Sequence, residues 1–442
     1  MDKTELFEKA PIHKAVASMA IPNILSMLVM IIYNMADTFF VGQTHNSLYV
    51  SAVSLAAPLF LVFTAFTSML GTGGSSVISR LLGQGEKGRA KQVSAFICYV
   101  AIALGVIMSI VVLVGIDPIL KLLGTDESTY VYTKQYVFWI ALGATFSIFS
   151  GAFSNVIRSE GASKDAMIGH IVGSVTNIIL DPVLILVLDM GVAGAAIATV
   201  IGNMVACIMF ASYFFRKQTV LSIRLQDFHF SVQMAWSIIS IGLPSSVVSI
   251  LSTITNVLMN RFLAGYSNNA VAGMGVALKV NTVSVYVLLG LGSGILPLIG
   301  YNYGAGNKKR LADIFKFSSI VAVVAGICLT AIMVLLRAPI VSAFIDDPEV
   351  VSYGTKMLAA LQLAGLILGL IFIGTNTIQA MGKVAASFIL NLLRQGIFLI
   401  PALILLNHFL GLNGVIYSNA VADYLAVFVS YAVCIGYMKK MK

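Results

Sequence analysis

Apolar runs alternate with short polar breaks along nearly the whole chain. Runs of roughly twenty or more predominantly apolar residues, long enough for a bilayer, fall at 15–41, 51–79, 92–115, 130–157, 165–188 and 192–215, and again at 232–262, 270–301, 314–336, 351–380, 384–406 and 411–437. The pattern predicts an all-α integral membrane protein with twelve transmembrane helices. The stretch Arg216 to Ser231 is polar, carries Arg216, Lys217 and Arg224, and reads as a cytoplasmic linker. It separates a six-helix bundle over 1–215 from a second over 232–442.

The two halves are copies. Gly83-Gln84-Gly85-Glu86-Lys87 returns as Gly304-Ala305-Gly306-Asn307-Lys308, and at the same shift Gly71 meets Gly292, Gly73 meets Gly294, Arg89 meets Arg310, Asn155 meets Asn376 and Gly161 meets Gly382. Pro22 and Asn34 meet Pro244 and Asn256 with one residue of slippage. An even number of spans per half gives both halves one orientation, so the expected symmetry is a pseudo-two-fold axis along the membrane normal. Duplicated halves in an apolar chain point to a transporter with its substrate on that axis.

Composition changes the picture only by exclusion. Charged residues make up 10% of the chain and hydrophobic ones 59%, so lipid must solvate most of the surface. The net charge of +9 suggests nucleic acid at first sight, but the basic residues gather on one set of loops, among them Arg80, Lys87, Lys164, Lys217, Lys308, Lys383 and Lys442. The opposite loops and helix ends offer only Lys121, Lys134, Arg337 and Lys356. By the positive-inside rule both termini are cytoplasmic, and no nucleic-acid partner is expected. The N-terminus is short, polar and mixed in charge, unlike a cleavable signal peptide. Cys98, Cys207, Cys328 and Cys434 all lie in apolar runs without metal-ligand spacing.

Proline stands inside several spans, at Pro22, Pro58, Pro182, Pro244, Pro297 and Pro401. Each removes a backbone donor and should bend its helix.

Among 18 acidic residues only Asp37, Asp181 and Asp423 fall well within spans. A charge at the bilayer centre costs at least about 2.5–3.5 kcal/mol, so such residues face a cavity or a partner and mark ion paths. Asp37, Asp181 and Thr199 lie within about one or two turns of the same depth, counted from their span ends at 1.5 Å per residue. Asn177 is one turn from Asp181 on the same face. Two carboxylates with an amide and a hydroxyl supply the hard oxygen ligands of Na+; the same pair can hold a proton, since two anions side by side in an apolar bundle repel each other. Tyr33 and Met30 precede Asp37 by one and nearly two turns, share roughly its face, and are the candidates to line an adaptable substrate cavity. In the second half Lys279, Arg394 and Asp423 lie within spans, where mutual ion pairing would satisfy all three; a substrate or coupling role is the alternative.

Other signals fall away. Gly83-Gln84-Gly85-Glu86-Lys87-Gly88 fits G-x-G-x-x-G, but a membrane span precedes it where a dinucleotide site needs a strand. The histidines are scattered, and no set of catalytic groups converges. Gly169 and Gly173 form a small-xxx-small pair for close helix approach.

At Tyr33-Asn34-Met35-Ala36-Asp37-Thr38, with Val41-Gly42-Gln43 following, the chain resembles the multidrug and toxic compound extrusion (MATE) family. The resemblance extends to Arg158-Ser159-Glu160-Gly161, to Asn177-Ile178-Ile179-Leu180-Asp181-Pro182 and to both Gly-x-Gly turns. It implies a monomeric antiporter in the plasma membrane of a bacterium. Such a protein expels organic cations and other amphipathic drugs against Na+ or H+ and uses no other cofactor. It further implies coupling at Asp37, Asn177, Asp181 and Thr199, a bend of the first span at Pro22, and a cavity lined by Asn155 and Tyr33. Members that couple through the second half carry carboxylates where Asn256, Asn376 and Gln379 stand here, which directs attention to the first half. A lipid-linked precursor flippase, which shares the twin-bundle plan, is the alternative; it calls for a strongly cationic cavity and extra spans.

Overall fold

The computed structural model describes residues 3–216 and 219–440, apart from the side chains of Lys3 and Thr4; Lys217 and Lys442 lie outside the described residues. Described residues are helical or in turns and loops, with no strand. Spans run α1 Ile12–Gly42, α2 Ser47–Gly83, α3 Lys87–Val114, α4 Glu127–Leu142 with Ala144–Ser159, α5 Ser163–Val187 and α6 Gly191–Phe214. The second half gives α7 Val232–Ala264, α8 Asn268–Gly304, α9 Lys308–Leu335, α10 Pro348–Ala380, α11 Val384–Leu410 and α12 Leu412–Lys440. The twelve expected spans are all present when the two pieces of α4 are taken as one.

The repeat is visible in its turns. Gly85 and Gly306 carry φ of 79° and 69°, and Gly161 and Gly382 carry 92° and 70°, left-handed values that glycine adopts without steric cost. Around the first pair the closing bonds match as well: Glu86 N to Leu81 O returns as Asn307 N to Asn302 O, both 2.9 Å. The Gly-x-Gly turns are therefore helix C-caps, not phosphate cradles.

The prolines act in more than one way. Pro58 and Pro297 each stand at the second position of a helix restarting after a break at Ala56 or Ile295. There the missing N–H has no helical partner to lose. Pro182 is followed by a wide π-turn over Val183–Val187. Pro22 and Pro244 remain inside continuous helices. The largest change of direction between joined spans falls where no proline stands: α4 bends by 52° at Gly143, whose missing side chain admits the Val200 methyls.

The chain folds into two compact units whose limits differ from the repeat boundaries at 215 and 232. One comprises Met1–Ile24 with Val247–Lys442, the other Leu25–Ser246. Each repeat thus gives its opening segment to the unit built mainly by the other, and each handover comes two residues after a proline, Pro22 or Pro244.

Within the unit containing α8, the start of α1 lies against glycines. A Cβ on Gly290 would meet the Ile24 Cα at 2.9 Å, and one on Gly294 would meet the Ala20 Cα at 2.8 Å. Asn23 Nδ2 donates to Gly290 O and Ser293 Oγ, both at 2.7 Å. The segment before α1 is tied to the same unit: Arg310 donates to Phe7 O and Ala10 O at 2.6 Å each, and Phe7 stacks on Tyr301.

In the unit containing α2, the start of α7 is seated in the same manner. Gly73 meets the Ile238 carbonyl, Gly242 meets the Met69 carbonyl, and Ser246 Oγ donates to Ala65 O at 2.7 Å. The residues before α7 are held down by the buried Glu160 carboxylate, which accepts from the Tyr213 hydroxyl, from Thr219 Oγ1 at 2.7 Å and from Val220 N at 3.0 Å.

Replacing Gly290 with Leu is expected to cost about 1–3 kcal/mol by overpacking and to lower the thermal midpoint in detergent. Gly88→Ala, with nothing within 4 Å of the new methyl, serves as the neutral control. At the start of α4, the Asp126 carboxylate accepts from the Thr129 and Ser128 hydroxyls and from Thr129 N. These bonds pull its pKa down to about 2 from the ordinary carboxylate value of about 3.9. Its folded-state value being lower, the stabilisation is whole above the unfolded pKa and disappears as pH falls toward the folded one. The gap in midpoint between wild type and Asp126→Ala, read by differential scanning fluorimetry, should shrink as pH drops from about 5 toward about 3.

Candidate functional site

Four of the residues singled out in the first half come together inside the unit Leu25–Ser246. Asp181 and Asn177 on α5 are fully buried, as is Thr199 on α6. The Asn177 amide stands between them, its Nδ2 donating to Asp181 Oδ1 and to Thr199 Oγ1, each at 3.4 Å. Two glycines set this geometry. A Cβ on Gly173 would meet Gly202 O at 2.7 Å, and one on Gly202 would meet Gly173 O at 2.7 Å. The α5 and α6 backbones therefore touch one turn from Asn177, as small-residue pairs in membrane helices allow.

Asp37 on α1 completes the cluster. It is close enough to Asp181 for their charges to interact, and Tyr33, one turn earlier, reaches Thr199 with its hydroxyl. Three acceptor oxygens, Asp37 Oδ1, Asn177 Oδ1 and Asp181 Oδ2, are shielded from solvent and have no hydrogen-bond partner among the described residues. Such groups are costly in an apolar bundle unless something donates to them. Oxygen atoms from two carboxylates, an amide and a hydroxyl fit a small hard cation or a shared proton.

Beside the cluster lies a cavity of about 40 Å³ walled by Tyr33, His170, Gly173, Ser174, Asn177, Thr199, Gly202, Asn203 and Ala206. It has room for a water or a bare ion; drug-sized ligands occupy roughly 300–1,000 Å³. No Lys or Arg lines it.

The remaining sequence candidates are placed differently. Met30 is half-buried on α1, and its carbonyl accepts from Asn34 Nδ2 at 2.8 Å. Asn155 Nδ2 donates to Gly151 O at 3.0 Å, and its Oδ1 accepts from the buried Arg158 at 3.1 Å. Pro22 belongs to the other compact unit.

Tyr136 on α4 went unnoticed in the sequence. It is buried, with its phenol in the field of Asp37, Tyr33 and Asp181. Tyr136 lies nine residues beyond Glu127 at the start of α4 and Thr199 eight beyond Gly191 at the start of α6, so counting depth along the spans points to it.

In the unit with Val247–Lys442 the expected three-way pairing resolves to two. Arg394 Nε donates to Asp423 Oδ1 at 2.7 Å and Nη2 to Oδ2 at 3.4 Å. A π-turn over Leu393–Phe398 carries the arginine into place, with its guanidinium 5.6 Å from the Phe372 ring centre. Lys279 takes no part and is exposed on α8. Asn376 donates to Phe372 O at 2.8 Å.

If the orphaned oxygens receive a cation or proton, binding should stabilise the folded state by mass action, about 2.7 kcal/mol at a hundredfold excess over Kd. Raising Na+ at constant ionic strength, or lowering pH, should lift the thermal midpoint of the wild type more than that of Asp181→Asn. Equal responses in the two proteins would count against the cluster as the binding site.

Comparison with known proteins agrees with this architecture. The MatE family model matches residues 22–183 and 244–404, one match in each repeat. The multidrug export protein MepA of Staphylococcus haemolyticus (strain JCSC1435) is 34% identical over 431 residues, spanning 96% of this chain and 95% of that protein. MepA of Staphylococcus aureus (strain MSSA476) is 34% identical over 420 residues, with 95% and 92% covered. A solved outward-facing multidrug resistance MATE family transporter of the MOP superfamily superposes with a TM-score of 0.94 at 25% identity, covering 100% of this chain and 99% of that one. With both repeats matched and relatives aligned almost end to end, this multi-pass membrane protein belongs to the MatE family.

Proposed function

We propose that the protein is a secondary active antiporter that exports cationic or amphipathic drugs in exchange for Na+ or H+. In this reading it works as a monomer in the plasma membrane of a bacterium, with both termini cytoplasmic. Kinship to multidrug export proteins supports the cargo class. The observation that supports the coupling site is the cluster at Asp37, Asn177, Asp181 and Thr199, which holds three buried, partnerless acceptor oxygens and no Lys or Arg along the adjoining cavity.

An ion or proton reaching the two carboxylates neutralises like charges and fills the orphaned acceptors. Tyr33 ties that event to α1, since it sits one turn before Asp37 and reaches Thr199 on α6. The cavity beside the cluster is too small for cargo, so drug and ion need not compete for one volume. Only a difference in affinity between conformations can then drive exchange. A membrane potential near 100 mV adds roughly 2.3 kcal/mol for each net charge moved.

Ethidium efflux from energised cells tests this reading. Asp37→Asn and Asp181→Asn should each slow efflux by at least about tenfold, equivalent to about 1.4 kcal/mol, with protein levels unchanged. Wild-type rates in both variants would remove the cluster from the mechanism.

A further inference from the structure

We infer that Lys279 is a cargo contact that anchors amphiphiles bearing a carboxylate, an inference that rests on the export reading and gives it a substrate class. Lys279 lies 11 residues beyond Asn268, the first residue of α8, or roughly 16 Å along the helix. In a hydrocarbon layer about 30 Å thick this is close to the midplane. A four-carbon stem cannot bring its ammonium to either interface from there. A lysine in lipid at that depth is among the most costly placements available to a side chain.

The face it stands on is not a lipid face. The exposed positions of α8, Asn268, Ala272, Gly275 and Lys279, follow helical spacing, and half-buried Thr282 and Tyr286 continue the same line. That stripe is small or polar throughout, and no large hydrophobic side chain of 268–294 is exposed. Spans that meet lipid look different: α3 exposes Ile102, Val106, Ile107, Ile110 and Val111, and α9 exposes Ile320, Val324, Ile327, Ile332 and Leu335. A Cβ on Gly275, one turn before Lys279, would find nothing within 4 Å. The stripe therefore borders open, water-accessible space within the membrane thickness.

Among the described residues Lys279 also has no ion-pair or hydrogen-bond partner. The intramembrane carboxylate of its own unit, Asp423, is held by Arg394 through two hydrogen bonds. The matching position of the first repeat is Pro58, so the charge is a property of one half and not of the shared fold. A free ammonium facing water at the midplane, with the Thr282 hydroxyl and the Tyr286 ring along the same stripe, complements an aromatic amphiphile with a carboxylate. The ammonium takes the anionic group, and the ring meets the apolar body.

Rhodamine B carries a free carboxylate beside its cationic ring system, and its ethyl ester lacks the carboxylate. Transport of both dyes, with ethidium as a third substrate, is measured in proteoliposomes under imposed Na+ and pH gradients. In Lys279→Gln the ratio of rhodamine B to ester transport should fall about tenfold, the loss of one charge-assisted bond, while Lys279→Arg should keep it within about twofold of the wild type. Reading a ratio makes the result independent of how much protein folds. A ratio unmoved by Lys279→Gln, or wild-type transport of ethidium or the ester without rhodamine B, overturns the lysine assignment alone. Transport of none of the three by the wild type overturns the export reading beneath it.

Discussion

Inside lipid, every polar group a helix carries must be answered by another helix, because the surroundings cannot answer it. Most of this chain meets that demand with backbone bonds and small residues. Around Asp181 three acceptors that go unmet gather in one place. Asn177 spends its amide N–H groups on Asp181 and Thr199, and its own carbonyl oxygen is left bare with one oxygen from each carboxylate. Backbone contact at Gly173 and Gly202 holds α5 against α6 and keeps Asn177, Asp181 and Thr199 together.

The two repeats share a fold but not an electrostatic condition. In one unit the buried carboxylate of Asp423 is matched by Arg394, and the pair is neutral. Removing either partner of such a pair leaves an uncompensated charge and typically costs 3–5 kcal/mol, whatever the net worth of the intact pair. In the other unit two carboxylates face each other with hydroxyls and an amide for company. The first arrangement is complete without a mobile ion; the second invites one. Duplication therefore supplied a common frame, and later divergence left unmatched carboxylates on one side and, among the described residues, an unpaired lysine on the other.

Much of this was legible in the sequence because it depends on period, depth and repetition. Span count followed from apolar length, the repeated turns from Gly85 and Gly306, and the meeting of Asp37, Asn177, Asp181 and Thr199 from counting residues to span ends. What stayed hidden depends on contacts between distant segments or on local changes of helical register. Arg394 pairs with Asp423 from within a π-turn at Leu393–Phe398, and no residue spacing encodes that turn. The bend of α4 arises at Gly143 through its fit to Val200, where a search for proline finds nothing. The partners of the Asn155 amide, Gly151 and Arg158, are likewise set by side-chain geometry that the spacing of residues does not state.

The exchanged opening segments bear on how such a chain arose. Residues up to Ile24 complete the unit formed by the second repeat, and residues up to Ser246 complete the one formed by the first. A single ancestral copy, standing alone, would have had an unfilled groove along its second span and a leading arm with nowhere to dock. Two copies lending arms to each other satisfy both at once, as in a domain-swapped dimer. Gene fusion would then have joined partners that were already interlocked, which fits a connecting segment pinned to the surface by Glu160 instead of hanging free.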